Sequence, residues 1–141
     1  ILISIDTLRA DHLGCYGYGR DTSPHIDSLA EDGIRFANAY ASSSWTLPSH
    51  VSIMTSLHGV HHQVYHDDER MDPELVTLAE YFQCRGFPCA AFTGGGFVSP
   101  VYGFAKGFDT YDVGAGHVLI QDSAERMFRL VSGWLDRHLG D

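Results

Sequence analysis

The stretch Ile1-Leu2-Ile3-Ser4-Ile5-Asp6-Thr7 decides how the chain is read. Five nearly continuous apolar residues ending abruptly in a carboxylate are the pattern of a strand covered on both faces, with Asp6 at its mouth. Asp6 would be costly there unless a cation meets it. A hard divalent ion does so readily, and a local turn cap is the other reading. An opening strand also suggests a chain taken from a longer protein.

Outward from this run, strand and helix patterns alternate. Ser23-Pro24 reads as an N-cap followed by proline at the first helical position. Ile26, Leu29 and Ala30 follow at helical spacing, and Gly33 is the expected stop. Residues 34–40 suggest a second strand. A helix is expected from Leu47-Pro48 to about Ser56, and a polar loop carrying His58, His61, His62 and His66 occupies 57–71. Asp72-Pro73-Glu74 looks like another cap, with Leu75, Leu78, Ala79 and Phe82 forming an apolar face up to Gly86. Phe87 to Phe92 is a short strand, Gly94-Gly95-Gly96 a flexible turn, and Phe104 to Tyr111 irregular. A last helix over about 119–138 carries Ile120, Ala124, Met127, Phe128, Val131, Trp134 and Leu135 on one side. Strands separated by such helices indicate an α/β fold, a mostly parallel sheet flanked by helices. In that architecture, chemistry sits beyond the carboxyl ends of strands.

Composition narrows the function classes. The 141 residues hold 9 Lys+Arg against 18 Asp+Glu, a formal charge of −9. That balance disfavours nucleic acid as a partner, which requires clustered cations. No apolar run is long enough for a membrane segment. Cys15, Cys84 and Cys89 lack the spacing of a disulfide framework and read as buried free thiols.

Two further residues could carry chemistry. Thr46 falls where a helix begins, where backbone N–H groups and the helix dipole favour a negative oxygen. It could equally be an ordinary N-cap. His50 lies one turn later on the same face, placed to donate to an anion or to shuttle a proton. It could also be a structural histidine. Asp11 and Arg9 are expected to form a surface ion pair. The histidine loop has no metal-site spacing and reads as a polar loop near the site.

Three segments together resemble the sulfatase family of the alkaline phosphatase superfamily. Ile3 to Gly17, with Asp6-Thr7-Leu8-Arg9-Ala10-Asp11, looks like its opening strand and metal loop. Thr22-Ser23-Pro24-His25-Ile26-Asp27-Ser28-Leu29-Ala30 and Gly33 to Tyr40 look like the helix and strand that follow. Trp45-Thr46-Leu47-Pro48-Ser49-His50-Val51-Ser52-Ile53-Met54-Thr55-Ser56 looks like the nucleophile helix. Weaker similarity runs through Leu78-Ala79-Glu80-Tyr81 and Gly107-Phe108-Asp109.

The resemblance implies that residues 1–141 are the N-terminal part of a sulfatase-like catalytic domain, alkaline-phosphatase-like and incomplete in this chain. It implies Asp6 and Thr46 as ligands of a divalent metal (Ca, Mg, Mn or Zn), Thr46 as nucleophile, and His50 beside the substrate anion. The full-length protein would hydrolyse a sulfuric ester of a small molecule or glycan. A phosphodiesterase, phosphonate hydrolase or phosphoglycerol-type transferase on the same scaffold is the alternative. Three features depart from the family pattern, the first being Thr7, which stands at the second acidic position after Asp6 and removes one possible carboxylate ligand. The formylglycine sulfatases carry Cys or Ser where Thr46 stands and Arg where His50 stands. Their later Asp-His metal pair has no counterpart here, the only Asp-His being Asp11-His12. An isolated piece of this kind would be inactive, serving as an anion-binding or assembly unit, and could self-associate.

Overall fold

The computed structural model describes residues 1–114 and 120–138. The chain divides into two compact units, Ile1–Ala41 and Ser42–Asp141.

In the first unit, single 3-10 turns at Ala10–His12 and Gly14–Tyr16 precede helix α1 (Pro24–Asp32). Ser23 and Asp27 join them. The Ser23 hydroxyl accepts from the Gly14 N–H at 3.0 Å and donates to Asp27, whose carboxylate accepts from the Cys15 N–H at 2.7 Å. These donors, Cys15 foremost, hold the Asp27 carboxyl below its ordinary range. Ser23 stands at the cap position as its sequence suggests, yet its hydroxyl serves the neighbouring turn instead of the helix's own N–H groups. Pro24 takes the first helical position and Gly33 ends the helix in extended backbone. Leu29, one of the apolar residues at helical spacing, is exposed.

The strands expected at 1–5 and 34–40 do not form. Both stretches lie outside the sheet, and their apolar side chains are open to solvent, with Ile1 97% and Ile34 88% exposed. The physical reason is that an apolar run specifies burial but cannot supply it. A strand needs a paired neighbour and a covering layer.

The second unit has a core. Helix α2 (Thr46–Thr55) buries Leu47, Pro48 and Val51. Leu47 and Val51 pack with Val64, Met71 and Phe104, flanked by Trp45, Met54, Leu75, Val98, Tyr102 and Tyr111. The expected polar loop after α2 contains a single-turn helix, α3 (Gly59–His62), and a buried histidine, His62. Helix α4 (Leu78–Gln83) starts later than Asp72-Pro73 suggests. Its N-terminus is fixed by a capping box. The Glu80 N–H donates to Thr77 Oγ1 at 3.2 Å, and the Thr77 N–H donates to Glu80 Oε2 at 2.9 Å. The Thr77 hydroxyl also donates to the Lys106 carbonyl, and Lys106 Nζ reaches Glu80 Oε1 at 3.3 Å and the Leu75 carbonyl at 2.7 Å. Gly107 makes this possible. Its φ is +84°, and a Cβ there would stand 2.3 Å from the Glu80 nitrogen.

Strands β1 (Ala90–Phe92) and β2 (Thr110–Asp112) pair in parallel, Ala91 opposite Tyr111. The fold is thus α/β with a small parallel sheet. β2 falls at the end of the stretch expected to be irregular. Asp109 anchors the start of β1, accepting from the Cys89 N–H at 2.8 Å and from Gln83 Nε2 at 3.1 Å. Tyr111 donates its hydroxyl to the Val98 carbonyl, and burial pushes its phenol up to about 12. Helix α5 (Ile120–His138) contacts β1 and stacks Trp134 on His138 at 4.1 Å. Phe128, expected on its apolar side, is exposed. Among the described residues no helix is long and apolar enough to cross a membrane. The cysteines are free thiols, but none is buried as expected: Cys84 is exposed and Cys15 and Cys89 are half-buried.

Candidate functional site

The residues with the most chemistry lie at the start of α2. Trp45 occupies the cap position and Thr46 the first helical position, so Thr46 is not the N-cap residue. Its placement is firm because the next residue, Leu47, and Val51 one turn later are fully buried. Pro48 in the first turn has no N–H to satisfy, which suits a helix start. Thr46 and His50 are themselves half-buried. His50 Nδ1 lies 2.9 Å from the Thr46 carbonyl oxygen. A carbonyl only accepts, so Nδ1 carries a proton. The sequence places the two residues on one face, and the structure joins them by this contact.

His62 is tied to α2 through Ser52. Its Nδ1 accepts the Val64 N–H at 3.0 Å, which leaves Nε2–H to donate to Ser52 Oγ at 3.0 Å. Both ring nitrogens are used by the neutral form. Burial first, and His58 second, lower its pKa. No sequence signal marked this histidine, whose neighbours are polar.

Asp6 belongs to the first unit, where it is exposed. The following residue, Thr7, has φ +56°, an unusual conformation for a β-branched side chain. Arg9 and Asp11 form the expected exposed pair, 2.9 Å between Arg9 Nε and Asp11 Oδ1. Arg9 first and His12 second hold the Asp11 carboxyl well below the ordinary range. Among the described residues no group of three or more His, Cys, Asp or Glu is arranged to hold a metal ion. The described residues therefore do not make a metal site by themselves.

Comparison with known proteins bears on this arrangement. The sulfatase family profile matches residues 1–130. The chain is 41% identical over 58 residues to the N-acetylgalactosamine-6-O-sulfatase of Bacteroides thetaiotaomicron, covering 41% of this chain and 11% of that protein. It is 34% identical over 93 residues to human arylsulfatase A, covering 62% and 18%. It is 33% identical over 90 residues to mouse iduronate 2-sulfatase, covering 62% and 16%. The chain thus spans less than a fifth of the length of these relatives. No solved structure matches it significantly. A profile that runs through Asp6, Thr46 and His50 and on to residue 130 places this chain in the sulfatase family.

Proposed function

We propose that the full-length protein is a sulfuric ester hydrolase in which Thr46 is the nucleophile. The observation that carries this reading is the start of α2, where a half-buried hydroxyl-bearing residue is pinned by Leu47 and Val51 and joined to His50 through its carbonyl. Thr46 Oγ attacks the sulfur of the ester, the bond from sulfur to the alcohol oxygen breaks, and a threonine sulfate ester forms. Water then cleaves that ester and releases sulfate. The Thr46 hydroxyl proton must leave during attack, and the alcohol must gain one. His50 Nε2 is the proposed carrier, because Nδ1 is committed to the Thr46 carbonyl. Backbone N–H groups of the first turn favour the anion.

Asp6 and Thr46 are the proposed contributions of this chain to a divalent metal, as one carboxylate and one hydroxyl. The substrate is a sulfate ester of a small molecule or glycan, in keeping with relatives named for aryl, iduronate and N-acetylgalactosamine sulfates. A second reading rests on Thr46 and His50 themselves. Threonine cannot become formylglycine, and a plain alcohol nucleophile serves phosphate, phosphonate or phosphoglycerol transfer equally well.

Matched 4-nitrophenyl sulfate and 4-nitrophenyl phosphate assays on the full-length protein separate the two. Preference for the sulfate supports the first reading, and preference for the phosphate replaces it with the second.

A further inference from the structure

Gln63, the residue that ends α3, has φ +54°, a left-handed conformation that favours glycine. The turn it makes brings the Val64 N–H to His62 Nδ1 at 3.0 Å. Val64 is 1% exposed, so that N–H is shut off from water and needs an acceptor inside the fold. Only an unprotonated ring nitrogen accepts. The other ring nitrogen, Nε2, meets Ser52 Oγ on α2 at 3.0 Å.

The two bonds bear on Thr46 by separate routes. Ser52 lies on the helix that Thr46 begins, and Val64 packs in one core with Leu47 and Val51, buried residues of the same helix. A proton on Nδ1 sets one N–H against another and leaves the buried Val64 N–H without an acceptor. Turning the ring over gives no relief, because both nitrogens of an imidazolium donate. The Ser52 contact survives, since Nε2 donates in either form and a hydroxyl accepts.

The surroundings do not welcome a charge. The ionisable neighbours are His58 and His61 on α3 and its cap, His50 on α2, and Tyr65, whose ring centroid is 6.4 Å away. Glu69 accepts from the Tyr65 and His66 N–H groups, and Glu80 of α4 is bonded to Thr77 and Lys106. Among the described residues no carboxylate bonds to the His62 ring. Burial first and His58 second therefore favour the neutral form.

We propose that His62 is an acid-sensitive latch on the helix of Thr46: neutral, it ties Val64 and Ser52 into the core beside Leu47 and Val51; protonated, it releases Val64 and loosens that packing. His62 is a positioning residue and touches no reacting atom. Its effect on turnover rests on Thr46 as nucleophile, whereas the latch itself does not.

The test is hydrogen–deuterium exchange of the full-length protein, read by mass spectrometry over residues 57–66. Labelling at about pH 7.5 and about pH 5 is scaled for the intrinsic exchange rate, and an unfolded histidine titrates at about 6.5 between them. Wild-type protection of this segment should fall by about tenfold or more at the lower pH. In His62→Asn the amide oxygen stands where Nδ1 does and does not titrate, so the change should shrink to within about twofold. Ser52→Ala should keep the acid step, because the Val64 bond is intact. Where His62→Asn does not unfold cooperatively, His62→Gln, also unable to titrate, is read in its place. A wild type with no acid step, or a non-titrating variant with the full step, overturns the latch. Turnover of 4-nitrophenyl sulfate is measured on the same samples. Wild type should lose more turnover at the lower pH than His62→Asn, with His50 titrating in both. Equal losses overturn the link from His62 to Thr46. A wild-type enzyme inert toward the ester overturns the hydrolase reading, and the exchange result still decides the latch.

Discussion

Two valines on neighbouring helices allow a direct test of what holds α2 in place. Val51 lies on α2 with no exposed surface, and Val60 lies on α3 with 63% exposed. Valine to alanine removes two methyl groups at either site. Where the side chain is fully buried, the lost transfer free energy is about 1.6 kcal/mol, and the cavity left behind adds about 1 kcal/mol. Alanine's better helix propensity returns about 0.6 kcal/mol. Val51→Ala should therefore cost about 2 kcal/mol. At Val60 only about a third of the transfer term applies, roughly 0.5 kcal/mol, and the propensity gain cancels it. The assay is urea denaturation of the full-length protein, read as a shift in midpoint at constant slope. If the two variants differ by less than about 0.5 kcal/mol, Val51 does not anchor the helix and the placement of Thr46 loses its support.

Other outcomes follow from single contacts. His62 is neutral in the fold with its pKa lowered, so the unfolded chain binds the extra proton first. Its contribution to stability is complete above the ordinary histidine value of about 6.5 and is lost as pH falls below it toward the folded-state value. A His62→Gln variant should show a flatter decline of unfolding midpoint over that window, and an unchanged slope would contradict a His62 held neutral by burial. Thr77→Ala removes one half of the capping box and should cost about 1 kcal/mol in the same denaturation assay. Gly107→Ala should cost more than Thr77→Ala, because it combines a left-handed backbone with a close approach to Glu80; a smaller loss would show that this turn is not tightly packed.

Much of the fold was legible where local chemistry decides it. Ser23-Pro24 marked the start of α1 and Leu47-Pro48 the start of α2, and of the strand expected over 87–92 only Ala90–Phe92 forms, as β1. The opening run misled because Ile1 to Ile5 states only a preference for burial, and neither it nor residues 34–40 joins a strand. Asp72-Pro73-Glu74 resembled a cap, but Thr77 and Glu80, at the capping-box spacing, did the capping. β2 escaped notice because Thr110-Tyr111-Asp112 has no apolar run and gains its strand character only beside β1.

The juxtaposition of Thr46 and His50 was legible because a helix sets residues four apart on one face. The contact of Phe97 with Trp45 was not, since it depends on two left-handed glycines and on a tertiary approach that no local spacing encodes. The burial of His62 was hidden for the same reason: its partners Ser52 and Val64 become neighbours only once α2 and α3 are packed.

The central claim is that Thr46 performs the attack. Its most direct test is turnover of 4-nitrophenyl sulfate by full-length Thr46→Ala enzyme, with the urea midpoint measured on the same sample. The expected result is loss of turnover at an unchanged midpoint; undiminished turnover by the correctly folded variant would contradict it.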